Sequence, residues 1–113
     1  MLAKDLARLD RLVHEPARLA IMAVLAEVDE AEFSFLLRQT GLTKGNLVSH
    51  LRVLEEAGFI FTRKVPVGSR KRTLISLTNL GRDTFAAYWR RMLRWSQHFA
   101  DKPPQTDAPS TDD

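Results

Sequence analysis

Leu2, Leu6, Leu9 and Val13 recur at spacings of four, three and four. That spacing lines one side of a helix and predicts a first amphipathic helix over residues 2–13. His14-Glu15-Pro16 interrupts it, and the proline suits the first position of a new helix, where its missing N–H costs nothing. Leu19 to Ala26 is an unbroken apolar run. It predicts a second helix over about Pro16–Val28, apolar all round and therefore central in the core. Asp29-Glu30-Ala31-Glu32 is polar and is expected to open a third helix, with Phe33, Leu36 and Leu37 as its apolar face. Gly41 suits the left-handed position just beyond a helix end. Thr43 is a predicted N-cap, and Leu47, Leu51 and Leu54 form the inner face of a fourth helix that Gly58 closes. The short turn Thr40-Gly41-Leu42 between the third and fourth helices makes a helix-turn-helix pattern.

From Phe59 the helical period stops. FIFTRKV (59–65) and TLISL (73–77) are rich in β-branched and aromatic residues and predict two strands. Between them PVGSRKR, with Pro66 and Gly68, predicts a hairpin with a long tip. Thr78 is the expected cap of a last helix running from about Asn79 to Asp101. The expected fold is mainly α with a small β-hairpin (α+β), a winged helix-turn-helix of about five helices and a two- or three-stranded wing sheet. One domain is expected over residues 1–101, including N- and C-terminal dimerisation helices. KPPQTDAPSTDD (102–113) has nothing to bury and reads as a disordered tail.

Charge sharpens this picture. The 113-residue chain carries a formal +3, but Lys102 against Asp107, Asp112 and Asp113 gives the tail −2, so the rest carries +5. A basic body is the footprint of a polyanion binder. With no cysteine there can be no disulfide, thiolate metal site or cysteine nucleophile. The N-terminal residues alternate charge with leucine, unlike a signal peptide, and no apolar run nears the roughly 20 residues of a membrane span. A cytoplasmic setting without membrane contact is expected. His14, His50 and His98 lack paired-ligand spacing, and Ser34, Ser49 and Ser69 lack the context of a nucleophile. Glu55 and Glu56 point apart on a helix. No catalytic set, metal site or cofactor is expected, and the chain does not read as an enzyme.

Three constellations remain. On a helical wheel the fourth helix turns Gly45, Ser49, Arg52 and Glu56 away from its leucines, with Asn46 and Val53 beside them and Lys44 at the exposed N-terminus. This small, polar, basic face can enter a major groove: Asn pairs with adenine, Arg with guanine, Ser with several bases, and Gly45 lets a backbone come close. It would also serve as a plain solvated face. Secondly, residues 63–72 hold Arg63, Lys64, Arg70, Lys71 and Arg72 with no acidic residue. These cations suit phosphates or a narrow minor groove, or simply keep a hairpin soluble. Thirdly, Phe85, Tyr88, Met92, Trp95 and Phe99 form a heptad seam that Trp89 and Leu93 widen. A helix of about 22 residues spans about 33 Å, so its far end should outrun a core of this size. The seam, with Leu2, Leu6 and Leu9, is the expected dimer interface, although it could instead pack within one chain. A winged-helix protein-interaction module, or a small-molecule sensor with a pocket along Trp89, Trp95 and His98, is the alternative reading.

HEPARLAIMAVL (14–25), FSFLLRQTGLTKGNLVSHLRVLEEAGFI (33–60) and GSRKRTLISLTNLGRDTFAAY (68–88) resemble the MarR/ArsR-like winged-helix DNA-binding regulators of bacteria, with TKGNLVSHL the most specific stretch. The likeness covers roughly residues 9–90. It implies a dimer on double-stranded, pseudo-palindromic operator DNA, acting as a transcriptional regulator. It also implies that Thr43, Lys44, Asn46, Ser49 and Arg52 belong to a recognition helix and that Arg70 and Lys71 belong to a wing. The cysteine ligands of ArsR-type metal sensors are missing.

Overall fold

The computed structural model describes residues 11–100. The leucines at 2, 6 and 9 and the tail at 102–113 lie outside the described residues. Five helices and a three-stranded antiparallel sheet make up the described chain. They are α1 (11–14), α2 (Pro16–Glu27), β1 (Ala31–Glu32), α3 (Phe33–Thr40), α4 (Lys44–Glu56), β2 (Ile60–Val67), β3 (Arg70–Leu77) and α5 (Asn79–Ala100).

α2 and α4 start where a proline or a side-chain cap allows it. Pro16 opens α2, and the Glu15 side chain accepts from the Arg18 N–H at 3.0 Å. The Thr43 hydroxyl accepts from the Asn46 N–H at 3.2 Å and caps α4. Gly41 ends α3 at φ 70°, the left-handed geometry that the helix-turn-helix bend requires, and its N–H reaches the Leu37 carbonyl.

The core gathers Ile21, Met22 and Leu25 from α2, Leu36 from α3, the three leucines of α4, and Phe59, Ile60, Ile75 and Leu77 from the sheet. Fully burying each such aliphatic or aromatic side chain contributes about 1.5–3 kcal/mol of hydrophobic stabilisation. Of α2, expected to be apolar all round, only Ile21, Met22 and Leu25 are buried; Leu19, Val24 and Ala26 are partly buried against the same core, and Arg18 and Glu27 are charged.

Two expectations are corrected here. Asp29-Glu30-Ala31-Glu32 adds no turn to α3, which starts at Phe33 with Glu32 as its N-cap residue. Ala31 pairs with Ile75 and Glu32 with Leu74, which makes β1 an edge strand of the sheet in the order β1-β3-β2. The burial of Ala31 between two exposed or half-exposed acids is a strand's period of two, too short to recognise in a three-residue stretch. The hairpin tip, expected to be long, is a two-residue turn. β2 runs through Pro66 to Val67, and β3 begins at Arg70, with Val67 opposite Arg70 and Pro66 opposite Lys71. Proline is tolerated there because β2 is an edge strand, where one side of the backbone has no ladder to feed.

The seat of α5 is made by Thr78 and Gly81. The Thr78 hydroxyl donates to the Gly58 carbonyl at 2.6 Å and accepts the Gly81 N–H at 2.9 Å. A Cβ on residue 81 would lie 2.0 Å from the Phe59 carbonyl oxygen, so only glycine lets the helix settle on that backbone.

Candidate nucleic-acid interface

The outward side of α4 is laid out as its wheel predicts. Thr43, Lys44, Gly45, Asn46, Ser49 and Arg52 are all exposed. Lys44 and Arg52 have no ion-pair partner among the described residues. The Thr43 hydroxyl already accepts one hydrogen bond as the cap of α4, which leaves its proton and its second lone pair. Gly45 has an ordinary φ, and a Cβ there would meet nothing within 4 Å. Nothing in the protein's own packing asks for glycine at this position.

The wing stands beside this helix. One open groove of about 660 Å³ is lined by Glu32, Phe33 and Ser34, by Lys44 and Val48 of α4, and by Arg70, Lys71, Arg72 and Thr73 of β3. The two basic regions, separated by more than twenty residues in the chain, thus share one concave surface. The strand register distributes the wing cations over both faces of the sheet. Arg70 and Arg72 share a side with Val67, Val65 and Arg63, and Lys71 shares the other with Pro66, Lys64 and Thr73.

The five wing cations are not equivalent, which corrects the expectation of an unopposed basic run at 63–72. Arg63 clasps Glu30 with two hydrogen bonds, Nε at 2.6 Å and a terminal nitrogen at 2.8 Å. Arg72 binds Glu32 at 2.7 Å. Both partners belong to or adjoin β1, so the acids expected within a helix are neighbours of the wing. The hydrogen bonds and charge of Arg63 hold the Glu30 carboxyl below its ordinary value, and Glu30 in turn raises the guanidinium of Arg63. Lys64, Arg70 and Lys71 carry no such partner among the described residues. Arg63 and Lys64 lie outside the groove.

Behind α4 a polar cluster ties it to α2. His50 Nδ1 lies 3.3 Å from an Arg18 terminal nitrogen and 3.9 Å from Glu15, while Arg18 Nε donates to the Leu12 carbonyl at 2.7 Å. Burial raises the Glu15 carboxyl, but the Arg18 N–H, the charge of His50 and the Ala17 N–H outweigh it and leave it below the ordinary value.

The seam on α5 divides in two. Tyr88 is 4% exposed, hydrogen-bonded to His14 and counted in the chain's own core, and Phe85 packs against that core. Tyr88 therefore has almost no surface to offer a second copy, contrary to its place in the expected interface. Trp89, Met92, Leu93, Trp95 and Phe99 are exposed, the last three by more than half. The pocket expected along Trp89, Trp95 and His98 is also different. Trp95 and His98 line an open groove with Arg91, Arg94 and Phe99, whereas Trp89 stands edge-on to Phe85 and Tyr88. No described helix is long and apolar enough to cross a membrane.

Val48 and the acids of β1 escaped the sequence reading. Val48 sits on the flank of the wheel, between the buried and the outward residues, where the helical period alone does not decide exposure. No spacing in so short a stretch marks Glu30 and Glu32 as neighbours of a strand; pairing with β3 places them.

A family profile described as a winged helix DNA-binding domain matches residues 17–95. An uncharacterized protein of Methanocaldococcus jannaschii is 36% identical over 88 residues, which is 78% of this chain and 96% of the relative. Among solved structures, a transcriptional regulator homologue from Pyrococcus horikoshii is 32% identical with a TM-score of 0.74, covering 88% of this chain and 97% of that one. A MarR-family regulator from Enterococcus faecalis, 20% identical over 87% of each chain with a TM-score of 0.75, shares the fold. With its helix-turn-helix, its three-stranded wing sheet and these relatives, the chain belongs to the winged helix DNA-binding domain family, as a transcriptional regulator.

Proposed function

We propose that this regulator binds double-stranded operator DNA as a homodimer, each subunit placing α4 in a major groove and its wing against the neighbouring backbone or minor groove. The reading is carried by the groove that Lys44 and Val48 of α4 share with Arg70–Thr73 of the wing. Asn46, Ser49 and Arg52 are the base-reading candidates, and Lys44, Arg70 and Lys71 the phosphate or minor-groove contacts. Arg63 and Arg72, held by Glu30 and Glu32, serve mainly to set the pose of the hairpin. Two-fold symmetry would place half-sites about one helical turn apart, roughly 10 bp, or a multiple of it, on a pseudo-palindrome. The exposed aromatic half of α5 supports a second copy as its cover. Such a regulator would work in the cytoplasm, where the DNA is.

Selection of bound fragments from a random duplex library tests this directly. Recovery of a two-fold symmetric motif is the expected result, and recovery of no enriched sequence would reject operator binding. In the same assay R70A and K71A should weaken binding to all duplexes alike. Each should also reduce the slope of log K against log salt by about 1 per lost phosphate contact. Unchanged slopes would remove the wing from the interface.

A further inference from the structure

Every exposed residue of α4 is small, polar or charged except Val48. This side chain is 40% exposed and stands one helical turn beyond Lys44, inside the groove that Lys44 shares with the wing. A β-branched residue there costs helix propensity and presents methyl groups to water, and Val48 is not among the apolar residues packed on the core. The ligand that such a position suits is an apolar group standing among phosphates. In the major groove of DNA one base has it: the C5-methyl of thymine lies at the groove edge and is read by apolar contact, while every other base edge offers donors and acceptors. Lys44 beside it can meet a phosphate as a point charge.

Resting on the DNA-binding reading above, we infer that Val48 is a specificity-determining residue that recognises a thymine methyl in each half-site. The contact buries a methyl-sized apolar surface, so its removal should cost about fourfold in affinity per half-site.

The test uses the duplex recovered by library selection. Each thymine is replaced in turn by deoxyuridine, which deletes the methyl and leaves every hydrogen-bonding group in place. The intact chain and V48A are titrated against each duplex. V48A should fold, because the position is exposed and alanine favours a helix; circular dichroism checks this. For the intact chain, one thymine per half-site should show the fourfold loss. For V48A the same replacement should change nothing, because valine and methyl form one contact. Equal losses for both proteins, or no thymine sensitive in either, would overturn the assignment while leaving DNA binding intact. A uniform loss for V48A on all duplexes would instead give Val48 to the sugar-phosphate chain and overturn it too. Should the intact chain enrich no duplex, the DNA reading itself falls, and this assignment with it.

Discussion

At the scale of single residues, Gly45 separates the demands of folding from those of binding. Glycine within a helix costs up to about 1 kcal/mol relative to alanine, and the structure offers no contact or backbone angle that requires it. G45A should therefore raise the stability of the chain, by about 0.5–1 kcal/mol in denaturant unfolding, while weakening its hold on selected duplexes. A stabilised variant with undiminished binding would show that no partner approaches the α4 backbone at this point. The same scale shows what could be read without coordinates. The outward side of α4 was legible because a wheel needs only the 3.6-residue period, and Thr43, Lys44, Asn46, Ser49 and Arg52 all lie on the surface as that period requires. Val48 was not legible, because a flank position is exposed or buried according to how far the neighbouring hairpin stands off, and that distance is tertiary.

At the scale of elements, the wing is held by β1. Arg63 and Arg72 are drawn to Glu30 and Glu32, two acids that a helical reading could not have set beside a strand some thirty to forty residues away. The period-two signal in a two-residue strand is nearly absent, and pairing with β3 alone decides it. The Glu30 carboxyl lies below its ordinary value because it accepts from Arg63, so the folded state holds the ionised form more tightly than the unfolded chain does. Whatever this pair adds to stability is therefore present above the ordinary carboxylate range, and it fades as pH falls through the lowered folded value. Carbon-detected titration of Glu30 by NMR should show the depressed midpoint in the parent chain and its return upward in R63A. A midpoint that does not move would mean that the pair does not persist in solution. The hairpin turn shows a related limit of sequence. Pro66 and Gly68 mark a bend, but the residue at which the ladder closes depends on register, and register is set by Ile60, Ile75 and Leu77 at the buried base.

At the scale of the whole molecule, α5 is both a core helix and a projection. Gly81, Phe85 and Tyr88 pack it onto the domain, and beyond Tyr88 every residue but Arg91 is exposed through Ala100. The seam was legible as a heptad, but its division between intrachain core and free surface depends on where the domain ends beneath it. Removing two of the exposed aromatics in W95A/F99A should shift sedimentation toward monomer at micromolar concentration and leave the unfolding transition of the single domain close to that of the parent. If the double variant sediments like the parent, a different surface joins the copies. If the parent is itself a monomer at those concentrations, α5 has no second copy to meet.

The closed tip of the wing has one more effect. Arg70 and Lys71 stand on paired strand residues next to a two-residue bend, not on a floppy arm. On the proposed DNA-binding reading, a duplex meeting such a tip has little backbone disorder to freeze out, so more of the charge attraction survives as net affinity. Because the pleat sends neighbouring cations to opposite sides, the tip can straddle a ridge of phosphates as a saddle does.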